Sequence, residues 1–226
     1  RSTLFPYTTL FRSSILSIST SVSLGSSASL TVSHNALLLA DGALAGDGTF
    51  ILDPGEGNTF TMSQSNTGYT GDIVIKSGKV KMQNGTSFGP VNTPGCITVE
   101  SDAILDTNGA ISGEYSDLKC NVILEDGATL TASQFTTAHG GRWSALTTLT
   151  LNGDAVVDAS TSTVVMGRTL HYDYCNINLN GNVLTKVGNN DFIISYCSIN
   201  GAGEFRIEVE SKIGRAVQQE CRDRSR

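Results

Sequence analysis

One pattern of apolar and polar positions recurs along the chain. Two apolar residues stand two apart, a short polar corner follows, and an Ala or Val then opens a second apolar stretch. Alternation with a period of two is typical of a strand with one buried face. The five copies are LTVSHNALL from Leu30, ITVESDAIL from Ile97, VILEDGATL from Val122, LTLNGDAVV from Leu149 and INLNGNVLT from Ile177.

The spacing of these copies predicts a β-helix. The last four start 25, 27 and 28 residues apart, which suits one coil each. A single coil cannot bury its apolar face, so stacked coils would close the core and pair their strands in parallel. We therefore predict an all-β fold, a single-stranded parallel β-helix. An antiparallel β-sandwich is the alternative, because the Asn-Gly and Asp-Gly corners also suit hairpins and the coil lengths are uneven.

Two cysteines stand at equivalent places in a tighter repeat. The run YCNIN from Tyr174 returns as YCSIN from Tyr196, 22 residues later. One coil of this length would place Cys175 directly above Cys197, at the spacing of about 4.8 Å between neighbouring strands, which lies within reach of a bridge. Both a disulfide and a pair of stacked, buried thiols fit this arrangement. A structural zinc site needs closer Cys or His pairs, and we predict no metal.

The two ends of the chain have a different origin from its middle. Residues 1–13, RSTLFPYTTLFRS, back-translate in one frame to the common short-read sequencing adapter, and residues 213–226, IGRAVQQECRDRSR, back-translate to the opposing adapter. Such scars are excluded from fold reasoning. We predict that both ends are non-native and that residues 14–212 are a β-solenoid fragment. This middle holds nine Lys and Arg against nineteen Asp and Glu, a net charge of −10.

Composition narrows the classes of function. The chain is rich in Gly, Ser, Thr and Asn, with few Pro and one Trp, which favours short strands joined by tight polar turns. No apolar run approaches the length of a membrane span. Nucleic acid demands clustered Lys and Arg, and the acidic middle has no basic patch. We therefore expect neither nucleic acid nor a membrane as a partner within the fragment.

Residues 46–89 carry a longer motif that points to a family. A G-x-G strand start leads through a central N-x-x-Y-x-G to alternating apolar residues and a closing small-residue turn. This segment resembles the autotransporter-associated β-strand repeat, and INLNGNVLTKVG from Ile177 is similar to the same class. The matching positions are Gly46, Gly48, Phe50 and Leu52 in the first strand, Asn66, Tyr69 and Gly71 in the centre, then Ile73, Ile75, Gly78, Val80 and Phe88-Gly89.

The resemblance implies both a fold and a role. It implies a right-handed, pectate-lyase-like solenoid that is secreted or displayed at the outer-membrane surface. The leading hypothesis is a structural or adhesive passenger segment acting as a repeat stalk, with no catalysis and no cofactor, and with further repeats of its own chain beyond both ends. The rival is a carbohydrate-active β-helix enzyme, a polysaccharide lyase or glycosidase, or a carbohydrate-binding module. An enzyme of this kind would need carboxylates, alone or with Arg or Lys, meeting in one groove.

One loop offers candidate binding residues. His139, Arg142 and Trp143 lie within AHGGRW, and together they could bind a sugar ring by stacking and hydrogen bonding. The alternative is a surface turn whose Trp covers the edge of the solenoid. Carbohydrate or another cell surface is accordingly the expected partner. No catalytic residue is assigned, because the plentiful acidic residues, among them Asp102, Asp126 and Asp154, occupy similar corners, one per coil, which indicates turn chemistry.

Overall fold

The structure, a computed structural model, describes residues 3–4, 9–11, 16–18, 21–33, 37–39, 44–62, 66–82, 95–107, 121–133, 148–166, 175–194 and 197–208. These residues form short strands joined by turns. In chain order the strands are β1 (Thr3–Leu4), β2 (Thr9–Phe11), β3 (Leu16–Ile18), β4 (Val22–Leu24), β5 (Ser29–Ser33), β6 (Leu37–Leu39), β7 (Leu44–Gly46), β8 (Thr49–Asp53), β9 (Thr59–Met62), β10 (Gly68–Tyr69), β11 (Ile73–Ile75), β12 (Lys79–Met82), β13 (Cys96–Val99), β14 (Ile104–Asp106), β15 (Asn121–Leu124), β16 (Thr129–Thr131), β17 (Thr148–Leu151), β18 (Ala155–Asp158), β19 (Val164–Met166), β20 (Cys175–Asn178), β21 (Val183–Val187), β22 (Phe192–Ile194), β23 (Cys197–Asn200) and β24 (Glu204–Ile207).

The strands stack into long parallel sheets. Sheet I has the order β2-β5-β8-β11-β13-β15-β17-β20-β23, and sheet II has the order β9-β12-β14-β16-β18-β21-β24. Three smaller sheets, β1-β4-β7-β10, β3-β6 and β19-β22, complete the walls. In the best-described turns the chain passes from a strand of a small sheet to sheet I and then to sheet II. The fold is a right-handed parallel β-helix, so the predicted fold is confirmed and the antiparallel sandwich is wrong.

The register confirms the period read from the sequence. Ile97 pairs with Val122, Val122 with Leu149, and Leu149 with Ile177, so the last four copies lie one above another. Leu30 belongs to the same column, but two coils come between it and Ile97. Those two coils contain Phe50 and Ile73. They are not among the five copies of the sequence pattern because their turns, 54–58 and 76–78, differ in length from most turns of the copies.

The core consists of columns of inward-facing side chains. In sheet I, the column that begins at Leu30 consists of residues that each have at most 1% of their surface exposed. Burying an aliphatic or aromatic side chain of this size contributes about 1.5–3 kcal/mol, so each coil depends on its neighbours above and below. The first column is Leu30, Phe50, Ile73, Ile97, Val122, Leu149 and Ile177; the second is Val32, Leu52, Ile75, Val99, Leu124 and Leu151; the sheet II column is Phe60, Val80, Leu105, Leu130 and Val157.

One detail of the motif assignment needs correction. The sequence placed Gly46, Gly48, Phe50 and Leu52 on one strand, but the chain turns between them. Gly46 ends β7, Gly48 lies in the corner, and the other two lie on β8. The corner forms because the amides of Asp47 and Gly48 both donate to the Leu24 carbonyl, at 3.0 and 3.2 Å, one coil before. Phe88-Gly89 lies outside the described residues.

Part of the N-terminal segment 1–13, which the sequence predicts to be translated adapter, forms strands. Strands β1 and β2 fall within residues 1–13 and pair in parallel with β4 and β5. An open sheet edge pairs through backbone groups, which any sequence supplies. Residues 213–226 lie outside the described part of the chain. Within that part, no helix has the length and apolar character needed to cross a bilayer.

Candidate functional site

The loop with the predicted sugar-binding residues lies outside the described part of the structure. His139, Arg142 and Trp143 belong to residues 134–147, which separate β16 from β17. Their proposed contact with carbohydrate therefore stays a prediction. The described residues nevertheless contain four features that bear on function: the cysteine pair, a buried tyrosine corner, a ladder of corner side chains and the C-terminal face.

The two cysteines of the YCNIN repeat are bonded to each other. Cys175 on β20 and Cys197 on β23 are register partners, and their Cα atoms lie 4.4 Å apart. They form a disulfide across 22 residues of chain. Cys175 is fully buried, whereas Cys197 is partly exposed. The disulfide therefore ties the last described coil of sheet I to the coil beneath it.

The central residues of the repeat motif form a buried corner. The hydroxyl of Tyr69 lies 2.6 Å from the Gly48 carbonyl and 2.7 Å from the Asp72 carbonyl. The side-chain carbonyl of Asn66 accepts from the Leu44 amide at 2.7 Å, one coil before. Burial raises the pKa of Tyr69 well above its ordinary value, with smaller contributions from nearby acidic residues.

Gly71 completes this corner because its backbone must pass very close to the preceding coil. A Cβ at Gly71 would lie 1.9 Å from the Gly48 carbonyl oxygen, which no side chain can tolerate. Asn66, Tyr69 and Gly71 are therefore explained by packing and backbone satisfaction. These three residues of the repeat motif therefore stabilise the turn that leads the chain into strand β11 of sheet I.

The acidic corners are not equivalent to one another. The Asp126 carboxylate accepts from the Asp154 amide at 3.1 Å, and the Asp154 carboxylate accepts from the Val183 amide at 2.8 Å. These two carboxylates hold successive coils together. Asp102 stands at a similar corner with a left-handed φ of 61°, and within the described residues its carboxylate has no hydrogen-bond partner. The three positions are thus alike in the sequence and different in their contacts.

Sequence reasoning missed a buried carboxylate at the end of β14. Asp106 is fully buried and accepts hydrogen bonds from the Ser133 amide, at 2.9 Å, and from the Ser133 hydroxyl. On the next residues of the same wall, the Thr107 hydroxyl donates to the Thr131 carbonyl at 3.2 Å. In the sequence, Asp106 directly follows the apolar Ile104 and Leu105, a pattern that is typical of the end of any strand and does not indicate a buried carboxylate. The partner lies one coil later, which no local pattern could show.

The C-terminal face of the solenoid is apolar and open. Ile199 pairs with Ile177 and continues the first column of sheet I, yet 51% of its surface is exposed. Ile207 is 71% exposed. These residues line a cleft of about 650 Å³ together with Phe205, Phe192, Ile193, Ile194, Lys186, Asp191 and Arg206.

Among the described residues of this face, the charged Lys186 interrupts an apolar column of sheet II. It stands between Val157 and Ile207 in the sheet II column, and its ammonium donates to the Gly188 carbonyl at 2.6 Å. The neighbouring sheet II column continues without a charge from Leu184 to Phe205. Among the described strands, β23 and β24 are the last of sheets I and II. A largely apolar end of this kind is what a β-helix presents where another coil can stack.

No protein family, curated protein or solved structure matches this chain.

Proposed function

We propose that the chain is a segment of a secreted or surface-displayed repeat stalk of the autotransporter-passenger kind. Its work is mechanical and adhesive rather than catalytic: parallel coils supply length, at about 4.8 Å each, and the turns and loops supply contacts. Carbohydrate or another cell surface is the proposed partner. The observation that carries this proposal is the C-terminal face, where Ile199 stands in a core column and is half exposed.

That face supports a stalk because its columns are unfinished. A compact protein of this size buries residues such as Ile199 and Ile207, since each would add to its stability. We propose that a further coil of the parent chain stacks on this face and pairs with β23 and β24. Residues 213–226 are proposed to be translated adapter, so the covering coil is expected from the parent gene rather than from this sequence.

The disulfide supports an extracellular location. Disulfides persist in oxidising compartments and are rare in the reducing cytosol. Cys175 and Cys197 are bonded across adjacent coils. A bond at this place also secures the last described coil, which has lost the support of a neighbour on one side.

Surface display can be tested directly. Residues 14–208 would be placed between a secretion signal and an outer-membrane translocator in a bacterial display host, with the translocator alone as the control. We expect antibody labelling of intact cells, together with adhesion to glycan-coated or cell-coated surfaces above that of the control. A segment that reaches the periplasm in a folded state but is neither displayed nor adhesive would contradict the proposal.

A further inference from the structure

A polar groove crosses three successive coils at the corner between sheets I and II. It arises because the turns differ in length. The turn from β8 to β9 spans residues 54–58, the next turn, from β11 to β12, spans only 76–78, and the turn from β13 to β14 spans 100–103. The short middle turn is therefore recessed between two longer ones. The resulting cleft has a volume of about 850 Å³, within the usual range for small-molecule sites.

Gly78, in the short middle turn, is one of the residues that line the groove. Gly78 has a left-handed φ of 62°, and a Cβ added there would lie 2.3 Å from the Gly55 carbonyl oxygen. A side chain at this position would have to displace the turn above it. Glycine at this position therefore allows the short turn to pack directly against the longer turn of the preceding coil, which fixes the relative position of the two turns.

The wall formed by the long turn is held in place by hydrogen bonds. The Gly55 amide donates to the Ser77 hydroxyl at 3.0 Å, and that hydroxyl donates to the Asp53 carboxylate. The Asn58 side-chain amide donates to the Pro54 carbonyl at 3.0 Å. These contacts tie the long turn to itself and to the coil below, so the groove is formed before any ligand arrives.

Three charged side chains line the groove without partners of their own. Glu56 and Asp102 are exposed on opposite walls, and Lys79 lies between them at the start of β12. Within the described residues none of the three makes a side-chain hydrogen bond or ion pair. Two acceptors and one donor are therefore free to meet a ligand.

The apolar part of the groove lies beside these groups. Lys79 pairs with Thr59 in one neighbouring strand and with Ile104 in the other. Thr59 adds a hydroxyl, and Ile104 offers a partly exposed aliphatic surface. The groove thus has hydrogen-bonding groups along its walls and a small apolar patch at its side.

We propose that this groove binds a neutral oligosaccharide. Sugar hydroxyls both donate and accept, so Glu56 and Asp102 can accept from them while Lys79 donates, and the C–H face of a ring can lie against Ile104. The coils repeat at about 4.8 Å, so a linear oligosaccharide along the solenoid axis meets one set of groups per coil.

Other ligand classes fit the groove less well. A phosphate or an acidic glycan would bring negative charge between two carboxylates. A calcium ion needs six to eight oxygen ligands, but the groove is lined by only two carboxylate residues, with the cationic Lys79 on the strand between their turns. A neutral, hydroxyl-rich chain avoids both conflicts.

This inference does not depend on where the protein is located. If glycan binding fails, the stalk proposal still stands on the C-terminal face, and if display fails, the groove can still bind its ligand in solution.

The test is a titration of the full chain with soluble neutral hexasaccharides of glucose, mannose, xylose and N-acetylglucosamine, followed by NMR amide shifts. We expect at least one to bind with saturation, with shifts grouped at residues 55–59, 77–79 and 101–104. Glu56→Gln and Asp102→Asn should each weaken binding about tenfold, because each removes a charge-assisted hydrogen bond. Lys79→Met should act in the same direction.

The controls separate the groove from other causes. Glu208→Gln removes an exposed carboxylate remote from the groove and should leave binding unchanged. Unchanged thermal unfolding of the groove variants shows that they are folded. The proposal is overturned if none of the hexasaccharides binds at about 10 mM. It is also overturned if binding is insensitive to the three substitutions, or if calcium chloride alone saturates the groove while the sugars do not.

Discussion

Ile177 and Ile199 are register partners on adjacent strands of sheet I, but Ile177 is fully buried and Ile199 is half exposed. The two side chains share a residue type, a column and a strand position. They differ in that, within the described part of the chain, strand β23 lies over Ile177 and no further strand lies over Ile199. The pair therefore measures what one stacked coil contributes to the burial of the next.

Truncating each of these isoleucines should have unequal effects. Ile177→Ala leaves a cavity in a packed column and should lower the free energy of unfolding by about 2–5 kcal/mol. Ile199→Ala removes a half-exposed side chain and should cost less than about 1 kcal/mol. Urea unfolding of both variants measures the difference. Equal losses would mean that the C-terminal face is covered in solution.

Removing the hydroxyl of Tyr69 should destabilise the corner that it holds. Tyr69→Phe keeps the ring in the core but removes the hydroxyl proton from beside the buried Gly48 carbonyl, whereas the Asp72 carbonyl still accepts from the Phe50 amide. We expect a loss of about 1–3 kcal/mol in the free energy of unfolding. Thr67→Ala, at an exposed position of the same turn, is the control and should change stability little. A loss as small as that of the control would show that the corner does not need the hydroxyl.

The same tyrosine should make stability fall at alkaline pH. Burial raises the pKa of Tyr69 in the folded state above its unfolded value of about 10. Its contribution is then complete below pH 10 and is lost as pH rises towards the folded pKa. The stability difference between the wild type and Tyr69→Phe should shrink by about 1.4 kcal/mol at pH 11. Urea unfolding at pH 8 and pH 11 measures it, and a constant difference would argue for a solvent-exposed hydroxyl.

Reduction should loosen the last described coil selectively. The Cys175–Cys197 disulfide closes a loop of 22 residues, and a loop of that length gains about 3 kcal/mol from the bond. With a reducing agent present, hydrogen exchange should accelerate in β23 and β24 and remain slow in β11–β15. The Cys175→Ser/Cys197→Ser double variant should exchange fast with or without the reducing agent. Uniform acceleration along the solenoid would mean that the bond stabilises every coil.

The fold could be predicted because its main signal is local and repeated. Spacing along the sequence is enough to predict that four residues stack in one column: Ile97, Val122, Leu149 and Ile177. The repeat of the Tyr-Cys run at Cys175 and Cys197 likewise indicates a coil of 22 residues. The coils through Phe50 and Ile73 were harder, since an acidic insertion at 53–58 and a short corner at 76–78 disguise the shared pattern. The alternation of apolar residues within the strands is kept in these coils, whereas the length and sequence of the turns change.

The groove could not be predicted from the sequence. Glu56, Lys79 and Asp102 stand on three different coils, and each looks like an ordinary turn or surface residue by itself. Their convergence follows from the relative lengths of three turns, which matter only after the strands are stacked in register. The same holds for Asp106 and Ser133, whose contact spans one whole coil. Side chains that meet across coils leave no motif along the chain.

The unequal turns beside an undisturbed strand register have an evolutionary consequence. Thr59, Lys79 and Ile104 remain neighbours although the segments preceding them span five, three and four residues. The strand register at this edge therefore accommodates turns of three to five residues, and the surface changes with the length of each turn. A lineage built on such a scaffold can diversify what it recognises by slippage in short stretches of its gene, without redesigning the interior.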